Sequence, residues 1–199
     1  MLKDMAKTGG ILFLITFLVA LMLVVGNYYT KGPIQMRLEL EEIAAKQQVL
    51  PQAAHFEEVF PDTLADHEKL SVAYNENNAA VVGFCVTTAA KGYGGEITVM
   101  TGLNFDKTVA AVRILSHSET ASVGSKAETN PELLLDNYVG RNGPFTVTKK
   151  KTTDPNGVVA ISGATVTSRA VNEAINRAIE LADAYTDTWV PEGEEGTEE

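Results

Sequence analysis

The sequence predicts an α+β fold: an antiparallel β meander with flanking helices, preceded by a single N-terminal transmembrane helix. Three observations predict it. Residues 8–30 carry no charge, and 11–25 read ILFLITFLVALMLVV. Residues 79–118 hold three β-rich runs separated by short turn segments. Residues 169–185, RAVNEAINRAIELADAY, place apolar side chains at helical spacing.

The uncharged stretch 8–30, as a helix at 1.5 Å per residue, spans about 34 Å, enough for a hydrocarbon core of roughly 30 Å. Tyr28 and Tyr29 stand where an interfacial aromatic pair would sit. No A-x-A cleavage site follows, which favours a retained anchor over a signal peptide. Lys3 and Lys7 precede the span, while Lys31 and Arg37 are soon outweighed by Glu39, Glu41 and Glu42. That balance predicts residues 1–7 in the cytoplasm and a folded domain, 31–190, outside. Gly32-Pro33 is expected to break the membrane helix, because proline lacks a backbone donor and restricts its predecessor. A second helix is expected to carry Met36, Leu40, Ile43 and Gln47 on one stripe and to end at Pro51.

Residues 53–70 (AAHFEEVFPDTLADHEKL) read as loop and short helix. AAVVGFCVTTA, EITVMTG and TVAAVRILSHS then read as strands, joined by the turn segments KGYGG and LNFDK. Thr129-Asn130-Pro131 has the form of a capped helix start with proline at its first position. FTVTKKK and GVVAIS are two further strands around the Asp154-Pro155-Asn156-Gly157 turn. In the last helix Val171, Ala174, Ile175, Ala178, Leu181, Ala182 and Tyr185 share one face. Residues 191–199 hold five glutamates and are expected to be a disordered, solvated tail.

Composition narrows the function. The net charge of −10 disfavours a nucleic-acid partner, whose phosphates would be repelled. A single cysteine, Cys85, rules out an intrachain disulfide, and the usual ligand sets for zinc or an iron–sulfur cluster are missing. His55, His67 and His117 show no metal-ligand spacing. No metal site is expected.

One stretch carries more hydroxyls than a helix needs. Residues 162–168, SGATVTS, lead directly into the last helix. One reading is a strand end, a turn and a helix cap, with Thr167 or Ser168 accepting a bond from an orphan N–H. The other uses the same geometry to receive a phosphate, since small residues admit it and a helix N-terminus stabilises its charge. Neither GxxxxGK[ST] nor G-x-S-x-G is present, so a P-loop and a nucleophile elbow are excluded. Composition leaves both readings standing.

SGAT followed by Val166-Thr167-Ser168 and an amphipathic helix resembles the flavinylation motif of the covalent FMN-binding domain. That domain occurs in the G subunit of the Rnf electron-transport complex and in the C subunit of the sodium-pumping NADH:quinone reductase. Residues 117–126, HSETASVGSK, resemble the family's H-x-E-T-P-G-L-G-x-K stretch. His117, Glu119, Thr120, Gly124 and Lys126 match it, while Ala121, Ser122 and Val123 replace Pro-Gly-Leu. Val159 stands where the family usually has an acidic residue, three before the motif serine. The KGYGGEI turn and the single span also resemble the family, so the likeness covers most of residues 8–186.

The resemblance implies FMN bound covalently to Thr165 through a phosphodiester installed by a flavin transferase. It implies a surrounding site of Ser162, Gly163, Ala164, Thr167, Glu119, Thr120, Val123 and Gly124, with no independent catalytic group. His117 is read as a loop or backbone-orienting residue rather than an acid–base partner of Glu119. The implied function is an electron-relay flavoprotein subunit of a membrane-bound, ion-translocating ferredoxin:NAD⁺ oxidoreductase of the Rnf type, working beside other membrane subunits. The alternatives are the corresponding quinone-reductase subunit, and a stand-alone anchored redox sensor or binding module in which SGATVTS is only a cap.

Overall fold

The computed structural model describes residues 2–76, 80–121 and 124–188. The acidic stretch 191–199 and Val123 lie outside the described residues.

Helix α1 runs from Leu2 to Val49. Within it Gly9–Gly32 has a mean hydropathy of 2.7 and is long and apolar enough to cross a membrane. The expected break at Gly32-Pro33 does not occur. Pro33 removes only the hydrogen bond to the Tyr29 carbonyl, and strong helix formers such as Met36, Arg37 and Leu40 continue the helix beyond it. Residues through Ile43 form one compact unit, and a second begins at Ala44.

The second unit is built on a five-stranded antiparallel sheet in the order β1-β2-β3-β4-β5. Its strands are β1 (His55–Val59), β2 (Lys69–Tyr74), β3 (Val81–Lys91), β4 (Glu96–Asn104) and β5 (Val109–His117). The meander over β3–β5 follows the sequence expectation. Strands β1 and β2 depart from it: β1 lies within 53–70, which reads as loop and short helix, and β2 starts at the end of that stretch. β1 is a mostly exposed edge strand with two glutamates, and β2 alternates Leu70 and Val72 with Ser71 and Ala73. Neither offers an apolar run; their strand character comes from pairing, β1 with β2 and β2 with β3.

Side chains alternate between the sheet faces, as a period of two requires. Phe84, Val86, Ile97, Val99 and Leu103 face the main core, while Ala73, Cys85 and Met100 face Val49, Leu50 and Ala53 on the other side. Helix α3 (Thr165–Thr188) covers the main core. Its predicted stripe is buried from Val171 to Ala182, with Tyr185 partly buried against the cluster. Val171, Ile175 and Leu181 are almost wholly enclosed, and each such side chain contributes roughly 1.5–3 kcal/mol. The buried Thr88 hydroxyl donates to the Ala174 carbonyl at 2.8 Å, fixing α3 along the sheet.

Between β5 and α3 the chain forms short helix α2 (Lys126–Thr129), two 3₁₀ turns and the strand pair β6 (Thr146–Thr148) and β7 (Gly157–Val159). Pro131 does begin a 3₁₀ turn, but Asn130 makes no side-chain cap bond. β6 and β7 pair in parallel rather than as a hairpin around the Asp154–Gly157 turn. Helix α3 holds the entry to β6. Asn176 accepts from the Phe145 N–H at 2.8 Å, and Asn172 and Asn176 both donate to the Phe145 carbonyl. This clamp fixes the start of β6, and the chain reaches β7, Ile161 and then α3.

Candidate functional site

A cleft of about 550 Å³ opens at the N-terminus of α3, lined by Tyr93, Glu119, Thr120, Gly124 and residues Gly163 to Thr167. Two walls form it, and they come from segments well separated in the sequence.

The first wall is the SGATVTS turn. The Ala164 N–H donates to the Ile161 carbonyl at 2.9 Å, and Gly163 sits at φ +82° between them. A positive φ at that third position is the type II arrangement, which glycine adopts without the steric cost of a Cβ. Helix α3 then starts at Thr165, and the first intrahelical bond runs from the Ser168 N–H to the Ala164 carbonyl. The N–H groups of Thr165, Val166 and Thr167 therefore have no intrahelical acceptor and give this end of the helix its positive character. No acidic residue occupies the first turn.

The four hydroxyls have separate fates. Ser168 is fully buried, donates to the Ala164 carbonyl and accepts from the Ile161 N–H at 3.0 Å. It ties the turn shut instead of capping the first helical N–H groups. For Thr167 the sequence predicts a cap or a cofactor contact. It lines the cleft, but its buried hydroxyl donates to Glu119 Oε2 at 2.6 Å, so it is no cap. Ser162 is exposed beside the cleft. Thr165 is half-buried in the lining, and its hydroxyl makes no hydrogen bond among the described residues.

The second wall is a cradle around the Glu119 carboxylate. Oε1 accepts from the N–H groups of Tyr93 at 2.7 Å and Gly94 at 3.0 Å, and Oε2 takes the Thr167 hydroxyl. Burial raises the carboxyl's pKa, but these three donors and the His117 ring outweigh it, so Glu119 stays below the ordinary carboxylate range. Gly92 and Gly124 make room for it. A Cβ on Gly92 would collide with Oε1, and one on Gly124 would collide with Oε2. The KGYGG segment is thus a turn, closed by Gly92 N–H to the Gly95 carbonyl, whose inner N–H groups hold a side chain of this protein.

Behind the cradle, the Glu119 N–H donates to His117 Nδ1 at 3.1 Å, and His117 Nε2 lies 2.9 Å from Glu128 Oε2. His117 therefore orients backbone, as the sequence suggested. Thr120 and Gly124 join the lining; Lys126 is exposed at the start of α2 and does not. Two lining residues escaped the sequence reading, Tyr93 and Val166. Both are exposed apolar groups, 76% and 48% accessible. An aromatic residue flanked by turn glycines was the signal available for Tyr93.

The FMN-binding domain family matches residues 92–180, the segment that contains both walls. The G subunit of the Na⁺-translocating ferredoxin:NAD⁺ oxidoreductase complex of Acetobacterium woodii is 32% identical over 193 residues, covering 90% of this chain and 92% of the relative. This chain belongs to the G-subunit family of ion-translocating (Rnf) oxidoreductase complexes. A second member, from Cereibacter sphaeroides, is 33% identical over 184 residues and covers 89% of this chain and 84% of its own length. The fold also resembles the crystal structure of the C subunit of the Na⁺-translocating NADH-quinone reductase from Parabacteroides distasonis. That likeness has a TM-score of 0.53 at 17% identity, over 73% of this chain and 92% of the other.

Proposed function

We propose that this protein is the membrane-associated flavoprotein subunit of an ion-translocating ferredoxin:NAD⁺ oxidoreductase. In this reading it relays electrons through FMN held covalently at Thr165 by a phosphodiester. A flavin transferase installs the group, and the N-terminus lies in the cytoplasm with the sheet domain outside.

One observation carries the attachment. Of the four hydroxyls in SGATVTS, Thr165 alone both lines the cleft and is uncommitted among the described residues. Thr167 and Ser168 are engaged inside, and Ser162 stands outside the lining. The donor set suits the group. A phosphodiester keeps one negative charge, and the unpaired N–H groups at the start of α3 are the local complement to it. The cleft volume lies within the ligand-site range of about 300–1,000 Å³. Tyr93, Ala164 and Val166 offer apolar surface for a flat ring, and Thr120 a polar edge.

FMN supplies the electron chemistry, and the protein contributes placement and tuning. Glu119 keeps a fixed negative charge beside the cleft, which disfavours extra electron density on a neighbouring group. Its three donors hold that charge in one place. Thr165 tethers, the start of α3 neutralises the tether's charge, and Tyr93 and Val166 shield one side from water.

The membrane reading draws on the Gly9–Gly32 helix and on the complexes named among the relatives. The orientation draws on the flanking charges alone. The test of covalency is flavin fluorescence of the full chain on a denaturing gel after expression with a transferase. A fluorescent band at the mass of the chain, absent without the transferase, is expected. Complete release of flavin on denaturation would contradict the linkage.

A further inference from the structure

We propose that His117 is the positioning residue of the Glu119 wall, and that proton uptake on its Nδ1 releases residues 118–120 and shifts the carboxylate beneath the cleft. The consequence for a bound flavin rests on the function proposed above; the contacts involve this chain alone.

The tautomer follows from the donors. The Glu119 backbone N–H points at Nδ1 across 3.1 Å, and an amide N–H can only donate. Nδ1 must therefore be the acceptor, without a proton. A neutral imidazole then carries its proton on Nε2, where Glu128 Oε2 accepts it at 2.9 Å. The His117 side chain is 16% exposed, so water has little access to replace a lost acceptor.

This bond fixes the backbone of the residue whose side chain builds the wall. Glu119 is held at three points by Tyr93, Gly94 and Thr167, and at a fourth through its own N–H. Gly124 packs directly behind the carboxylate, so the turn has little slack on that side. Moving the Glu119 backbone must move the carboxylate or strip it of a donor.

Imidazole is the side chain whose ordinary titration falls between pH 5 and 8. An added proton sits on Nδ1, facing the Glu119 N–H, and two donors cannot share that bond. The contact with Glu128 survives, because Nε2 remains a donor in both states. One side of the ring keeps its partner and the other lets go. Among the described residues, Glu128 on α2 and Glu119 on its own turn face the ring with charge, while its β4 neighbour, Ile97, brings none.

Two substitutions separate the contacts. In His117→Asn the amide oxygen reaches the Nδ1 position and accepts without titrating. In His117→Gln the longer amide reaches towards Glu128 and leaves the Glu119 N–H without an acceptor.

The experiment uses the full chain in detergent micelles, ¹⁵N-labelled at histidine and glutamate, first expressed without transferase and therefore free of covalent flavin. At pH 8 the His117 ring shifts should report the Nε2–H tautomer. As pH falls to 5 the Glu119 amide proton should move upfield in step with the ring, and in His117→Asn that movement should be lost. An Nδ1–H tautomer at pH 8 overturns the proposal, as does a Glu119 amide that titrates identically in His117→Asn. In flavin-loaded protein the absorbance band should step over the same pH range, and His117→Gln at pH 8 should match the wild type at pH 5. A clear amide titration with a flat flavin band sustains the role of His117 and counts instead against flavin in this cleft.

Discussion

The two walls of the cleft are electrical opposites built by different means. The α3 wall is positive only through unpaired backbone N–H groups, and it presents one uncommitted hydroxyl, Thr165. The Glu119 wall carries a full negative charge, and both oxygens of its carboxylate are engaged. Its carboxylate takes three donors, and glycines 92 and 124 exclude any bulk that would displace it. One wall is arranged to receive a group, the other to hold a charge still. Thr167 joins them, since it lies on α3 but spends its hydroxyl on Glu119. In the proposed function, the wall that takes the phosphate keeps a hydroxyl available, and the wall that tunes holds its carboxylate saturated.

Crowding the saturated wall should have the largest effect on folding. Gly124→Ala drives a Cβ into Glu119 Oε2 and to within 2.7 Å of Glu119 Cβ. Overpacking of this kind costs about 3 kcal/mol at the upper end, and chemical denaturation should read it. The same substitution should displace the carboxylate and shift the flavin absorbance band. A stability within about 0.5 kcal/mol of wild type, the range of neutral surface changes, would show that the cradle is loose.

Cutting the link between the walls should cost less and depend on pH. Thr167→Val removes the hydroxyl from an ionised acceptor, a loss of about 2 kcal/mol near neutral pH. The folded-state pKa of Glu119 is lowered, so its ionisation stabilises the fold above the unfolded value of 4.5, and that contribution is lost as pH falls through the folded value. The variant raises the folded value and has less to lose. The gap between the two proteins should therefore be widest above about pH 5 and narrow on acidification. Denaturation curves at several pH values check this. A constant gap would mean that Thr167 acts through packing alone.

Much of the architecture was legible because it is local. The apolar stretch within α1, the alternation in β3–β5 and the stripe on α3 each follow from a window of a few turns or a few strand residues. The SGATVTS turn and the 117–126 loop were legible by resemblance. What escaped is non-local. HFEEV and KLSVAY become strands only by pairing, β1 with β2 and β2 with β3. Strands β6 and β7 pair in parallel, and the start of β6 is held by asparagines on α3, far away in sequence. Thr167 looked like a cap because its true partner, Glu119, lies 48 residues earlier. Pro33 looked like a stop, whereas the helix loses only one hydrogen bond there.

The central claim is that Thr165 is the one hydroxyl in this turn that takes the flavin phosphate. Its most direct test is intact mass and peptide mapping of Thr165→Ala and Thr167→Ala after expression of each with a flavin transferase. The account predicts a folded Thr165→Ala chain at its unmodified mass, and a Thr167→Ala chain that still carries FMN on the peptide containing Thr165. FMN retained by Thr165→Ala, or lost from a folded Thr167→Ala chain, would contradict it.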